Sequence, residues 1–265
     1  MDSQDNVKKL LNWLSSQRNS AGLFSEIEVV VREGEATTRQ TLGVFSAGVV
    51  SMLLDRLPSK LVKGLQRDLA IALLEVRNCD GTWSFDGPNG DYPPDVDDTV
   101  LAMMAIRHFI GQRKVANDFV AFLNRAPRDE SGLLLTWLDP TRHHSLADIV
   151  VNLHVLVAAK RLKVPPSQLG GLESVVVEAI SNSTATSNYY CSARYVAQAI
   201  HAAELKLESS MAIHLAPGPQ VDTCGEVIFR QRREEVFYLS PVISAVLNFL
   251  EEEDHARRNA RFGSV

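Results

Sequence analysis

Pro93-Pro94-Asp95-Val96-Asp97-Asp98-Thr99 places three carboxylates within four positions, directly ahead of the apolar run Val100 to Ile106. Proline excludes the helical conformation for the residue before it, so a helix starts only at Asp95 or later. Asp95 then falls at the N-cap and Asp98 at the third helical position, where carboxylates satisfy free N–H groups and meet the positive end of the helix dipole. Asp97 differs: it shares a stripe with Leu101 and Met104 and so points inward. A lone buried carboxylate is costly unless protonated or well hydrogen-bonded. Burial and like-charged neighbours keep its proton on, while helix N–H groups stabilise the anion that remains after the proton leaves. Such an acid is both loaded and strongly donating, which suits protonation of a poor base such as an alkene in a dry cavity. Spacing alone leaves this chemistry and simple capping both open.

A carbocation formed by such an acid needs π-faces nearby and no water. Trp83, Phe85, Trp137, Tyr189, Tyr190, Phe237 and Tyr238 stand in loops or at helix starts where they can serve, with core filling as the alternative role of each. The adjacent pair Tyr189-Tyr190 ranks first, followed by Trp137 in the loop LLLTWLDP. Asp148 reads as a helix cap, and His154, on an apolar helix, as a hydrogen-bonded core residue. His143, His144 and His154 lack the paired spacing of a metal site, and an Asp-Asp-x-x-Asp pattern is absent because Leu101 follows Asp98 by three. No cofactor and no metal is expected. Cys79, Cys191 and Cys224 are too scattered for a disulfide framework, and read as small core residues in a reducing compartment.

The elements that must position these residues are helices. Apolar residues recur at three- and four-residue spacing almost throughout, as in Val7, Leu10, Leu11, Leu14 and in Leu65, Leu69, Leu73, Leu74. Five helices look apolar on all sides and begin near Thr41, Asp97, Ala147, Cys191 and Pro241, with a more amphipathic helix ahead of each. Starts about fifty residues apart are the spacing of a helix-pair array. A helix that is apolar all round must be buried all round, so the expected fold is all-α: a closed α/α toroid of about five to six helix pairs. The strand-like run IEVVVREGEATT is the exception, with a short hairpin around Glu33-Gly34. Residues 1–252 form one domain on this reading, and 253–265 a polar, frayed tail.

This stretch resembles the class II terpene cyclases, the squalene–hopene cyclase superfamily. Their acid motif Asp-x-Asp-Asp appears here as Asp95-Val96-Asp97-Asp98, which puts the family's proton donor at Asp97. Their helix-stapling Gln-x-x-x-Gly-x-Trp element appears as Arg77-Asn-Cys-Asp-Gly81-Thr-Trp83, with Arg for Gln, and in degenerate form from Arg128 to Leu134. Their later Asp-x-x-x-His, whose histidine hydrogen-bonds the acid, matches Asp148-Ile-Val-Val-Asn152. The resemblance therefore implies that Asn152 orients Asp97 in the histidine's place. Length for one domain only makes the chain similar to monodomain cyclases of the merosterolic acid synthase type, which act on prenylated aromatic acids.

Composition narrows the alternatives. A net charge of −5 gives no footprint for nucleic acid. The N-terminal residues lack an apolar signal core, and no apolar stretch is long enough to span a bilayer, so a cytoplasmic protein is expected, with peripheral membrane contact compatible. The resemblance implies an isomerase that starts carbocationic cyclisation of a polyprenyl chain on an aromatic acid, farnesyl or geranylgeranyl in length, giving a meroterpenoid. Two rivals remain. A zinc-dependent, prenyltransferase-like toroid would use Asp222-Thr-Cys224 with His255, and a non-catalytic prenyl-lipid binder would use the same greasy interior.

Overall fold

The computed structural model describes residues 3–32, 35–90, 92–139, 145–205, 213–215, 227–231 and 236–262. Its helices are α1 (Ser3–Ser16), α2 (Val44–Leu54), α3 (Ser59–Glu75), α4 (Val96–Ile110), α5 (Gln112–Leu123), α6 (Ile149–Leu162), α7 (Leu172–Ser181), α8 (Ala193–Ala202) and α9 (Pro241–Phe262). Its strands are β1 (Phe24–Arg32), β2 (Glu35–Gly43), β3 (Val227–Gln231) and β4 (Val236–Leu239). The five helix starts expected from the apolar pattern fall at α2, α4, α6, α8 and α9, each within three residues.

The expected all-α toroid is corrected: the chain is mixed α and β. Its strands form a four-stranded antiparallel sheet in the order β2-β1-β4-β3. The cause is legible in β1, where Ile27, Val29 and Val31 alternate with Glu26, Glu28 and Val30, so that opposite faces meet different surroundings. Ile27, Val29 and Val31 pack with Phe237 and Leu239 of β4, while Val30 joins the main core. β2 is polar and mostly exposed, as an edge strand should be. Register pairs Glu28 with Arg39 on one side and with Tyr238 on the other.

Among the described residues, three helices are buried all round over most of their length. Every residue of α2 is buried, as are Val96 to Ile106 of α4 and Ile149 to Ala159 of α6. They pack side by side, α2 on α4 and α4 on α6, with the one-sided helices α3, α5 and α7 outside. Gly48 of α2 lets its neighbour come close, since a Cβ there would lie 2.7 Å from Leu101 Cβ. The expectation of all-round burial fails for α8, which buries only Tyr195, Val196, Ala199 and Ala202, and for α9, which buries one stripe. The polar segment from residue 253, expected to fray, continues α9 as helix to Phe262.

A turn recurs after α1, α3 and α5, as Arg18-Asn-Ser-Ala-Gly22-Leu-Phe24 leading into β1, and as Arg77-Asn-Cys-Asp-Gly81-Thr-Trp83 and Arg128-Asp-Glu-Ser-Gly132-Leu-Leu134 on the way to α4 and α6. Each Gly has positive φ (76°, 88° and 93°), and Cβ-bearing residues rarely adopt that conformation. In each turn the residue after Arg donates its N–H to the carbonyl four residues on, at 2.7, 3.0 and 2.9 Å. Arg77 Nε and Arg128 Nη1 each donate to their own turn's Gly carbonyl, at 3.1 and 2.7 Å.

Candidate active site

α2, α4 and α6 point their N-terminal ends at one region, and β1 and β4 lie beside it. Asp95 caps α4, accepting the Asp98 N–H at 2.7 Å. Asp148 caps α6 through Val150 N–H at 2.8 Å, and its other oxygen accepts from Ser187 Oγ at 2.9 Å and Asn188 N–H at 2.6 Å. These are the two caps expected from the sequence. α2 has no side-chain cap of its own; Glu26 of β1 supplies one, accepting the Ser46 N–H at 2.7 Å. Ser46 Oγ in turn meets Ser240 Oγ at 2.6 Å, at the head of α9.

Asp97 is 7 % exposed and faces a small cavity of about 60 Å³ that opens to the surface. His154 Nδ1 is hydrogen-bonded to Asp97 Oδ1, and the Tyr190 hydroxyl donates to Oδ2. Behind His154, its Nε2 meets the Tyr195 hydroxyl at 2.6 Å. Tyr195 is fully buried and stacks on Tyr190, with ring centroids 5.7 Å apart. Burial lifts the Tyr195 phenol well above its ordinary range, so its proton stays on.

The two flanking acids behave alike. Burial, then the Asp97 charge, pushes Asp95 up to about 8, and burial followed by the neighbouring carboxyls raises Asp98 well above its usual value. Both hold their protons at neutral pH, and they titrate with their neighbours as a group. Asp98 Oδ1 is buried without a partner.

Around these acids the cavity wall is aromatic: Phe45, Phe85, Tyr92, Trp137, Tyr189, Tyr190 and Tyr238, with Thr136 and Val151. Phe85, Trp137, Tyr189, Tyr190 and Tyr238 were expected there. Trp137 Nε1 donates to Tyr189 Oη at 3.2 Å, which fixes two of the rings edge to face. Phe45 and Tyr92 escaped sequence reading. Phe45 sits within α2, where it looks like any core residue, and Tyr92 reaches the wall only because its loop folds back against β4. Neither Lys nor Arg stands among the described residues lining the cavity.

Several expectations are corrected. Asn152 does not touch Asp97. Its amide accepts Leu134 N–H at 2.9 Å and donates to Leu134 O at 3.0 Å and Asp148 O at 2.9 Å, so it clamps the linker ahead of α6. The group that reaches the acid is His154, two residues further on, which is a hydrogen-bonded core residue with the acid as its partner. Helical twist explains the difference: positions 152 and 154 differ by about 200°, so only one of them can face α4. Trp83 does not line the cavity. It is fully buried, donates Nε1–H to Leu73 O at 2.7 Å, and lies under the Arg77 guanidinium at 5.1 Å, which makes it a staple between α3 and α4. Phe237, beside Tyr238, faces the opposite side of the sheet. Cys79 is exposed rather than in the core. His143, His144, Asp222 and Cys224 lie outside the described residues, and His255 is exposed on α9.

No family model matches the chain, and no curated protein does either. Among the described residues no group of three or more His, Cys, Asp or Glu is placed to hold a metal ion, and no helix is long and apolar enough to cross a membrane.

Proposed function

We infer that the chain is a cyclase of the class II terpene type, an isomerase that protonates a carbon–carbon double bond of a polyprenyl substrate. The observation that carries this reading is a single arrangement: an inward carboxyl, Asp97, held between His154 and Tyr190 at the wall of an aromatic cavity. Asp97 gives its proton to the alkene, and the carboxylate left behind is stabilised by the Tyr190 O–H and by His154 Nδ1–H. Tyr195, donating to Nε2, is what places the imidazole proton on Nδ1. Asp95 and Asp98, uncharged and close by, avoid adding two further negative charges that would resist formation of the Asp97 anion.

The rings of Phe45, Phe85, Tyr92, Trp137, Tyr189 and Tyr238 offer π-faces to the cation and shield it from water as rings close. One proton enters at the first step and one leaves at the last, so the product has the mass of the substrate. The free space in the cavity is about 60 Å³, below the usual 300–1,000 Å³ of ligand pockets, so a polyprenyl chain enters only as the aromatic wall gives way or with most of its length in the mouth. The acids and aromatic rings of its described lining suit, by their chemistry, the reacting end of a farnesyl or geranylgeranyl chain. A negatively charged head group, such as the carboxylate of a prenylated aromatic acid, belongs at or beyond the mouth. No step in this reaction calls for a metal or cofactor.

The test is mass spectrometry after incubation with free and aryl-linked polyprenyl substrates. An isomer of unchanged mass and altered retention is expected. Tight substrate binding with no isomer would leave a lipid-binding protein in its place, and activity that vanishes with a chelator and returns with zinc would favour prenyl transfer.

A further inference from the structure

On the side of the sheet, the cavity wall holds a second line of polar groups that the protonation step does not use. Register sets Arg39 of β2, Glu28 of β1 and Tyr238 of β4 opposite one another, so the three side chains share one face of the sheet. Arg39 grips the Glu28 carboxylate with two donors, Nε to Oε1 at 2.6 Å and Nη2 to Oε2 at 3.0 Å. The Tyr238 hydroxyl donates to the same Oε2 at 3.1 Å, and its oxygen meets Tyr92 Oη at 2.5 Å. Because the Tyr238 proton is directed at Glu28, Tyr92 is the donor between the two phenols. Both tyrosines line the cavity that Asp97 faces. Phe85 meets their rings edge to face, with centroids 5.8 Å from Tyr92 and 4.7 Å from Tyr238.

An unbroken hydrogen-bonded line therefore runs from the cavity to a carboxylate. Its outer end is wet: the Glu28 side chain is 5 % exposed, but that of Arg39 is 54 % exposed, on the edge strand β2. Burial raises both phenols above their ordinary range, so each stays neutral, able to accept a proton on oxygen and to pass its own along. Any acceptor would satisfy the Tyr238 hydroxyl. A carboxylate adds a base.

We propose that Tyr92, Tyr238 and Glu28 carry away the last proton of the cyclised cation. This rests on the cyclase reading and supplies its closing step. A C–H bond beside the cationic carbon breaks, and its electron pair becomes the new carbon–carbon double bond. The proton goes to Tyr92 Oη, the proton that Tyr92 held moves to Tyr238 Oη, and the one that Tyr238 held moves to Glu28 Oε2. Both phenols end as they began, Glu28 is left neutral, and nothing is oxidised or reduced. Glu28 then loses its proton to water at the β2 edge, because the Arg39 charge favours the carboxylate. The helix ends give a proton, and the sheet takes one away.

Glu28→Gln keeps an acceptor of the same size for Tyr238 and removes the base. Full-length protein is incubated with farnesyl- and geranylgeranyl-substituted hydroxybenzoate and with the free prenyl diphosphates, and products are separated by mass and retention. The wild type should end in one cyclic olefin. In Glu28→Gln the ratio of that olefin to all other products, whether its double-bond isomers or species heavier by one captured water, should fall by about tenfold or more. Tyr238→Phe cuts the same line while leaving the ring and the Glu28–Arg39 pair in place, and should shift the ratio likewise; it decides the matter alone if Glu28→Gln does not fold. An unchanged ratio in either folded variant would overturn the proposal, even where total turnover falls, since a merely structural role slows every product alike. A wild type that makes no isomer from any of these substrates would end the cyclase reading itself, whereas a wild-type isomer with unchanged ratios in the variants would remove the proton exit alone.

Discussion

The two ends of α2, α4 and α6 carry acids under opposite rules. At the C-terminal ends Asp55 accepts from Arg107 Nη2 at 2.6 Å and Gln66 Nε2 at 2.9 Å and forms an ion pair with Arg161 at 3.5 Å, so one carboxylate ties together helices α3, α4 and α6 just beyond α2. Its charge is matched, and cations stand where the helix dipole is negative. Burial, then the Arg107 charge beside it, holds His108 down to about 4, leaving it neutral. Nothing at this end is set to change charge near neutral pH. At the N-terminal ends Glu26, Asp95 and Asp98 are buried without a cation, held uncharged by desolvation, and two of their oxygens have no partner. A hollow stands in front of them. The first end holds helices together with matched charges; the second buries acids that desolvation keeps protonated and leaves two of their oxygens without partners.

The largest effect that can test this contrast is on turnover. Asp97→Asn should lower the rate of isomer formation by about 10² to 10⁴ with the thermal midpoint preserved or raised, since a buried acid is replaced by an amide of the same shape. Near-normal turnover would remove Asp97 from the chemistry and with it the functional half of the comparison. The matching change at the other end, Asp55→Ala, strands Arg107 and should cost about 3 kcal/mol of stability in denaturant unfolding, while the rate per folded molecule holds. A loss of rate without a loss of stability would mean that the two ends are not separate in role.

A smaller effect is expected from Tyr195→Phe. Removing the hydroxyl that fixes His154 should lower kcat by about tenfold, worth about 1.4 kcal/mol, with KM little changed and the alkaline limb of the pH profile displaced. A change confined to KM would make Tyr195 part of the cavity wall instead. The smallest effect is on stability against pH. Folding raises Glu26 from 4.5 and Asp95 from 3.8, each to about 8, so the folded chain holds protons that the unfolded chain releases between those limits. Stability contributed this way is present below about pH 4 and is lost as pH rises toward 8. Thermal unfolding from pH 5 to 9 should therefore show a falling midpoint that Glu26→Gln makes shallower; a rising midpoint would show these acids to be ionised in the fold.

Local chemistry was readable wherever a residue and its partners lie close along the chain. The two prolines, the cap at Asp95 and the inward stripe of Asp97 all sit within one helix turn or two, and the cap at Asp148 follows the same logic. Helix starts were legible because burial on all sides or on one side leaves a period in the sequence. β3 and β4 were not, since Val-Ile-Phe and Val-Phe-Tyr-Leu are runs too short to reveal whether they extend or coil. β4 pairs with β1 across some two hundred residues, and β3 joins the sheet only through β4.

The sequence by itself determined that an acid at position 97 heads an apolar helix and points inward, because helical period and proline sterics act over a few residues. Only the tertiary structure decided what that acid touches. Which of Asn152 and His154 faces α4 depends on the rotation of α6, and Tyr190 and Tyr195 reach the site from a linker and helix some forty residues later. Glu26 joins only because a sheet closes against the helix ends. Such contacts depend on how whole elements pack against one another, and packing is settled by the fit of many side chains at once.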